Sequence, residues 1–255
     1  FKNPDLAETL TALAEHGRSA FYEGSIARAM VDYFESIDAD LTLDDLTTHR
    51  GEWVEPRGVD YHGYTLYQLP PNGQGFAALM MLNILKQVDL RRFERGSPEL
   101  FHFMVEAKRL AFEAMAGTFA DPAYSAIPID TLLSDEFAKR QFSRIRPDQV
   151  IEPQHLAVPL EGEGDTTYLT VVDGEGMMVS LIQSNYRGMG SGLVPTGLGF
   201  MLQDRGELFS LDPSHPNVYA PGKRPFHTII PAFLMKNGAP FMSFGLMGGG
   251  MQPQG

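Results

Sequence analysis

The sequence predicts an α+β fold, and three features indicate it. Apolar residues recur at every third or fourth position in several segments between residues 4 and 145, as on one face of a helix. From residue 166 onward, β-branched runs alternate with short glycine turns, as in antiparallel strands. Helical segments dominate the first part and hairpins follow, which is the order typical of α+β domains.

Six segments are predicted to be helical from this periodicity and from their capping residues. Asn3 and Pro4 form a start signal for the first helix, and Ser97 and Pro98 form one for the longest helix. The predicted helices are Pro4–Glu15, Ala20–Phe34, Thr42–Leu46, Phe76–Val88, Ser97–Phe119 and Leu132–Ile145.

The predicted strands are short and are bounded by glycine, proline or asparagine. They are Trp53–Pro56, Val59–Tyr61, Tyr64–Leu69, Thr167–Asp173, Met177–Gln183, Gly199–Gln203, Thr228–Lys236 and Pro240–Gly245. The Gly-rich loop Asn72–Gly75 opens a helix, so it either binds an anion through free N–H groups or lets a strand and a helix approach closely. Residues 144–163 lack periodicity and are predicted to be a surface linker.

Composition excludes several classes of protein. The 255 residues, 43% of them hydrophobic, are enough for a substantial core. With 20 basic and 32 acidic residues the net charge is -12, so we expect no nucleic-acid partner. The absence of cysteine excludes disulfides, thiolate zinc sites and cysteine nucleophiles. No apolar run reaches the roughly 18 residues of a membrane span. The compartment stays open, because the chain begins without methionine and is expected to be part of a longer protein with both ends missing.

A metal site is the alternative that one pair of residues suggests. His102 and Glu106 are four positions apart on a predicted helix, where two side chains share one face. A zinc site uses three or four ligands, and the sequence offers no second cluster to complete the set. We therefore expect neither a metal nor another cofactor.

The strongest chemical signal lies in the stretch Gly164–Asp173. A threonine hydroxyl is a poor nucleophile without a base, and cleavage of the preceding peptide bond frees an amine that can serve as that base. The acidic, glycine-punctuated segment 161–165 suits cleavage, and the β-branched run after it suits a rigid strand. Thr166 is thus the candidate nucleophile and Asp165-Thr166 the candidate cleavage site. The alternative is an ordinary Asp-Thr-Thr turn before a strand.

Motifs along nearly the whole chain resemble, in order, the γ-glutamyltransferases (γ-glutamyltranspeptidases) and related cephalosporin acylases, which are N-terminal-nucleophile hydrolases. In the first part the motifs are Ala20–Gly24, Leu41–Leu46, Tyr61–Tyr64, Pro70-Pro71, Leu82–Leu85, Glu106-Ala107 and Asp121-Pro122. In the second part they are Thr166-Thr167, Val171–Asp173, Gly190–Gly192, Lys223–Pro225 and Gly248-Gly249. The resemblance implies a four-layer αββα sandwich.

The resemblance also implies a self-cleaving precursor. Residues 1–165 would be the C-terminal part of a large, mostly helical subunit. Residues 166–255 would be the N-terminal part of a small, mostly β subunit that carries the nucleophile, and further dimerisation stays open. In the implied mechanism Thr166 attacks the acyl carbonyl, Ser184 supports its amine, and the N–H groups of Gly248 and Gly249 hold the oxyanion.

Departures from the family pattern concern the acyl donor. Tyr186, Arg205 and Leu208 stand where γ-glutamyl enzymes hold the α-ammonium of the substrate, and His227 and Thr228 stand where paired serines grip its α-carboxylate. Tyr186, Arg205, His227 and Thr228 are therefore the candidate substrate-binding residues.

The family resemblance and the departures from it lead us to expect one of three functions. One is a γ-glutamyltransferase-like amidohydrolase or acyltransferase that passes the acyl group of a glutathione-type amide to water or to an amine. The second is an acylase for donors without an α-amine, such as glutaryl amides. The third is an unprocessed, non-catalytic relic of the fold.

Overall fold

A computed structural model describes residues 2–152 and 164–255. The chain divides into two compact units, residues 1–53 with 189–204 and residues 54–188 with 205–255. Both helices and sheets are present, which confirms the predicted α+β class. Within the two described ranges, none of the helices combines the length and the apolar character that crossing a membrane requires.

The first unit is helical. Its helices are α1 (Pro4–His16), α2 (Arg18–Tyr22), α3 (Ser25–Ser36) and α4 (Leu43–Thr48). Asn3 caps α1 by accepting a hydrogen bond from the Leu6 amide at 3.0 Å, and its side-chain amide donates to the Gly199 carbonyl at 2.7 Å. Thr9 donates to the Leu198 carbonyl at 2.9 Å, so α1 is fastened to the returning segment at two places. Leu198 packs in the core of this unit with Ala20, Ile26 and Met30.

Two predictions for this unit are wrong. The single helix predicted over Ala20–Phe34 is broken after Tyr22, because Gly24 lies outside helical geometry, with φ -95° and ψ -149°. The strand predicted over Gly199–Gln203 does not form. Gly199 instead has φ +70° and lies against the start of α1, where its carbonyl and that of Leu198 accept side-chain hydrogen bonds.

The second unit contains a four-stranded antiparallel sheet and a separate hairpin. The sheet has the order β1 (Arg57–Tyr61), β2 (Tyr64–Gln68), β5 (Ala232–Lys236) and β6 (Ala239–Phe244). The hairpin consists of β3 (Gly164–Val172) and β4 (Met178–Arg187). The hydroxyl of Thr170 on β3 hydrogen-bonds that of Ser243 on β6, which joins the hairpin to the sheet.

Helices cover the four-stranded sheet in this unit. They are α5 (Gly75–Leu85), α6 (Pro98–Ala116), α7 (Ile129–Leu132) and α8 (Asp135–Phe142). Ten of the eleven residues of α5 are buried, because this helix lies between the sheet and α6. Phe76, Leu79 and Met80 of α5 pack against Phe112 and Met115 of α6 in the main core. Burial of such side chains stabilises the fold by roughly 1.5–3 kcal/mol each.

Other predicted boundaries differ from the observed ones. Trp53–Pro56 is not a strand. The helix predicted over Leu132–Ile145 is reduced to α8, because α7 ends at Leu132 and the Ser134 hydroxyl caps α8 by accepting from the Phe137 amide at 3.1 Å. Residues 144–152 contain neither helix nor regular strand, which agrees with the predicted linker, and the rest of that linker lies outside the described residues.

Candidate functional site

The hairpin holds Thr166 opposite Ser184. The two residues are paired across β3 and β4, and the Thr166 hydroxyl donates to the Ser184 oxygen at 3.0 Å. Thr166 is only 8% exposed, although its neighbour Thr167 on the other face of the strand is exposed. Alternation of faces along a strand explains the difference. Of the two adjacent threonine hydroxyls, Thr166 is therefore the one that lies in a partly enclosed polar contact.

A β-bulge lies at the candidate cleavage site. Asp165 is paired with Tyr186 and Thr166 with Ser184, so the register shifts at the Asp165-Thr166 bond and Asn185 is left without an opposite residue. Tyr186 has φ +80°, which is unusual for a residue with a bulky side chain. In that conformation the Tyr186 amide donates to the Ser184 hydroxyl oxygen at 2.9 Å. The Ser184 oxygen thus accepts from both the Thr166 hydroxyl and a backbone N–H.

Arg205 lies in the interior and contacts two other candidate substrate-binding residues. It is only 3% exposed, so the guanidinium does not face solvent. Its guanidinium donates to the Thr228 hydroxyl at 2.6 Å and lies 5.2 Å from the centre of the Tyr186 ring. A planar cation with several donors is suited to bind a carboxylate.

His227 lies beside this cation in the neutral form. Burial, and secondly the positive charge of Arg205, lower the pKa of His227 to about 3. Its Nδ1 accepts a hydrogen bond from the Ile229 amide at 3.3 Å, so the neutral ring carries its proton on Nε2. His227 can therefore act as a neutral hydrogen-bond donor at ordinary pH.

The candidate oxyanion glycines lie in a tight turn after β6. Gly248 has φ +123° and Gly249 has φ +53°, conformations that glycine adopts without steric cost. Gly249 begins a 3₁₀ turn, Gly249–Met251, that contacts β3. The carbonyl oxygens of Gly248 and Gly249 accept from the amides of Met251 and Gln252 at 2.9 and 3.3 Å. Because the carbonyl of one residue and the N–H of the next point in opposite directions across a peptide plane, the N–H groups of Gly249 and Gly250 face away from these two bonds.

The family model described as Gamma-glutamyltranspeptidase matches residues 1–255. The chain belongs to this family. A cephalosporin acylase from Bacillus halodurans has a similar structure, with a TM-score of 0.88 and 40% identity over 100% of this chain and 46% of that one. The family resemblance predicted from the motifs is thereby confirmed.

Two curated relatives are similar in sequence to this γ-glutamyltranspeptidase family member. The glutathione hydrolase-like YwrD proenzyme of Bacillus subtilis strain 168 is 42% identical, with 100% of this chain and 47% of the relative covered. The oxamate amidohydrolase proenzyme of Klebsiella pneumoniae is 36% identical, also with 100% and 47% covered. The chain spans about half the length of these relatives.

One buried residue of this chain was not predicted from the sequence. Gln74 is fully buried, and its side-chain amide donates to the carbonyls of Thr228 and Gly249 at 2.5 and 2.8 Å. The signal that could have revealed it is a large polar residue in the glycine-rich loop before α5. At Gly75 the loop lies close to β2, because a Cβ on this residue would meet the Gln68 side chain.

One cavity of the second unit adjoins the candidate site at Tyr186, and the residue pair considered for a metal makes contacts elsewhere. A cavity of about 260 Å³ is lined by Tyr186, Leu208, His215 and neighbouring residues, but its described lining lacks Thr166, Arg205 and Thr228. His102 contacts the Arg146 carbonyl at 2.7 Å, while Glu106 accepts from the Ile151 amide at 2.7 Å. The two side chains considered for a metal therefore make separate contacts to backbone groups.

Proposed function

We propose that this chain belongs to a self-processing amidohydrolase or acyltransferase in which Thr166 is the nucleophile. The observation that carries the proposal is the contact of the buried Thr166 hydroxyl with Ser184, 3.0 Å away, beside a bulge at the Asp165-Thr166 bond. Family membership supports the reaction class, and both curated relatives are named as proenzymes.

Processing would begin with the same hydroxyl. The Thr166 oxygen adds to the carbonyl carbon of Asp165, the C–N bond between the two residues breaks, and the hydroxyl proton ends on the freed nitrogen. Water then hydrolyses the resulting ester, which leaves a carboxylate on Asp165 and a free α-amine on Thr166. Ser184, whose oxygen accepts from Thr166 and from the Tyr186 amide, keeps the hydroxyl in place.

Turnover would use the amine that processing releases. An α-amine has an ordinary pKa of about 7.7–8.0, so near neutral pH it can accept the hydroxyl proton as the oxygen adds to the donor's amide carbon. The N–H groups of Gly248 and Gly249 would stabilise the oxyanion. The donor C–N bond breaks and the proton passes to the leaving amine, which leaves an acyl ester on Thr166. The acyl group then passes to water or to an acceptor amine, whose proton returns to the Thr166 oxygen.

Arg205 favours a second, narrower candidate, an acylase for donors that carry a carboxylate and no α-amine. The buried guanidinium beside Thr228 and Tyr186 would bind a carboxylate and repel an ammonium. Glutathione-type donors contain both groups, whereas oxamate and glutaryl amides contain only the carboxylate. The relatives are named for donors of both kinds.

Thr166→Ala in the full-length precursor is the decisive test. The variant should remain one chain on denaturing electrophoresis and should not release p-nitroaniline from acyl p-nitroanilides. Thr167→Ala, which alters the exposed neighbour, is the matched control and should process and turn over within about threefold of wild type. Cleavage or turnover by Thr166→Ala would refute the assignment, and an unprocessed, inactive wild type would support the non-catalytic alternative.

A further inference from the structure

Gln74 connects the two halves of the candidate site through one side-chain amide. Its Nε2 donates to the carbonyl of Thr228, in the segment that contacts Arg205, and to the carbonyl of Gly249, in the glycine turn. Both partners are acceptors, so the network itself determines the orientation of the amide. No other described side chain donates to both segments.

The backbone around Gln74 holds that amide in place. The Gln74 N–H donates to the His227 carbonyl at 2.9 Å, and the His227 N–H donates to the Asn72 carbonyl at 3.0 Å. The loop before α5 therefore runs along the segment that carries His227 and Thr228. With its backbone bonded and its side chain fully buried, Gln74 has little freedom to move independently of that segment.

The glycine turn needs such an external contact. Gly248, Gly249 and Gly250 have no Cβ atoms, so steric exclusion does little to restrict their peptide planes. The Gly249 carbonyl accepts from the Gln252 amide at 3.3 Å and from Gln74 at 2.8 Å, so the stronger of its two contacts comes from outside the turn. Fixing this carbonyl fixes the Gly249–Gly250 peptide plane, which meets the plane of the Gly249 N–H at the Gly249 Cα.

The arrangement also leaves one atom unsatisfied. The Oε1 of Gln74 is buried and has no hydrogen-bond partner among the described residues. A buried acceptor without a partner costs free energy, and such groups are uncommon unless the site requires them. Here both N–H donors of the same amide are hydrogen-bonded, and these two bonds offset the cost of burying the unsatisfied oxygen.

We propose that Gln74 is a positioning residue that sets the glycine-turn N–H groups in register with the substrate-binding segment around Thr228. The inference rests on the proposed role of Thr166 and extends it to a residue that does not itself touch the reacting atoms. Loss of the amide would leave ground-state binding nearly intact, because Arg205 and Thr228 keep their contact. It would weaken stabilisation of the tetrahedral adduct, because the oxyanion donors would no longer be held in place.

The test uses full-length Gln74→Leu, which removes both N–H donors and keeps a side chain of similar length. We expect kcat to fall by about 10- to 100-fold, less than the ~10²–10³-fold typical of deleting an oxyanion donor, with KM changed by less than about threefold. A boronic acid matching the acyl group forms a tetrahedral adduct on the hydroxyl. Its inhibition constant should weaken by the same factor as kcat, whereas that of the carboxylate product should not.

Gln141→Leu is the matched control, since Gln141 is a buried glutamine on α8 that bonds to Arg144. Gln74→Glu is the second variant, because a carboxyl group has at most one O–H to donate where the amide donates to two carbonyls. Failure of both Gln74 variants to process, with thermal transitions like that of Gln141→Leu, would support the inference, since processing is also an acyl transfer to Thr166. Failure with loss of the thermal transition would assign Gln74 a purely structural role.

The remaining outcomes separate this inference from the proposed function. A lower kcat with unchanged boronate affinity would mean that only the fraction of competent enzyme fell, and the inference would be wrong. Wild-type kinetics in Gln74→Leu together with an inactive Thr166→Ala would refute the inference alone. Turnover by Thr166→Ala would refute the function of Thr166, and the role of Gln74 with it.

Discussion

Replacement of Arg205 by glutamine isolates the effect of one buried cation on the choice of acyl donor. Glutaryl and γ-glutamyl p-nitroanilides share the same leaving group, the same chain length and a terminal carboxylate. They differ in the α-ammonium that only the γ-glutamyl donor carries. The ratio of their kcat/KM values therefore reports how the site treats an ammonium, and any loss of folded enzyme cancels from it.

The magnitude follows from Coulomb's law. A guanidinium and an ammonium about 4 Å apart repel by about 1 kcal/mol in bulk water and about 4 kcal/mol at an effective dielectric of 20. Arg205 is 3% exposed, so the upper part of that range applies. With about 1.4 kcal/mol per factor of ten, the two limits correspond to about 5-fold and about 10³-fold, and the wild-type enzyme should prefer the glutaryl donor by a factor toward the upper limit.

Arg205→Gln should lower kcat/KM for both donors, because both would lose the cation proposed to bind their carboxylate. The fall should be larger for the glutaryl donor, so the ratio should drop by at least about fivefold. Arg187→Gln is the control, since this half-exposed arginine pairs with Glu207 near the same end of β4, and its ratio should match wild type. A wild-type preference for the γ-glutamyl donor, or an unchanged ratio in Arg205→Gln, would refute the reasoning.

Two further predictions concern stability. His227 has a pKa of about 3 in the folded protein and an ordinary value of about 6.5 when unfolded. The stability that the neutral ring contributes to the fold is therefore fully present above pH 6.5 and is lost as the pH falls. His227→Gln should reduce the loss of unfolding free energy between pH 7 and pH 4 by about 3 kcal/mol in urea titrations, and an equal loss in both proteins would contradict this. Gly199→Ala should destabilise the helical unit by more than about 2 kcal/mol, because a Cβ there meets the Leu6 nitrogen and the Asn3 side chain. Gly197→Ala, at φ +76° but in open space, should incur only the backbone cost of about 1–2 kcal/mol, and equal thermal shifts for the two variants would show that the close contact is unimportant.

The fold class could be predicted because periodicity is a local property of the sequence. The longest helix and the Thr167–Asp173 strand were found to within a few residues, since each carries a strong apolar pattern. The strand predicted at Gly199–Gln203 was wrong for a tertiary reason. The carbonyls of Leu198 and Gly199 accept side-chain hydrogen bonds from α1 and its capping residue. No pattern within five residues could reveal these contacts.

The candidate site was predictable only in part. Thr166 and Ser184 were named from a motif and a family resemblance, and the strand register places them in contact. Gln74 was not named, because its importance depends on two carbonyl groups that are 154 and 175 residues away in sequence. Backbone carbonyls carry no sequence signature, so a residue that acts through them can be recognised only from the fold.

The bulge gives the proposed processing step a structural basis. On one side of the bond, Asp165 pairs with Tyr186, and on the other, Thr166 pairs with Ser184. The two residues are thus held separately by β4, with Asn185 between their partners. After cleavage the ladder from Thr166 to Val172 would remain intact, so the new amino terminus would stay beside Ser184. Because β4 holds the two sides of the cleavage site in β3 separately, one side can be released without loss of the geometry of the other.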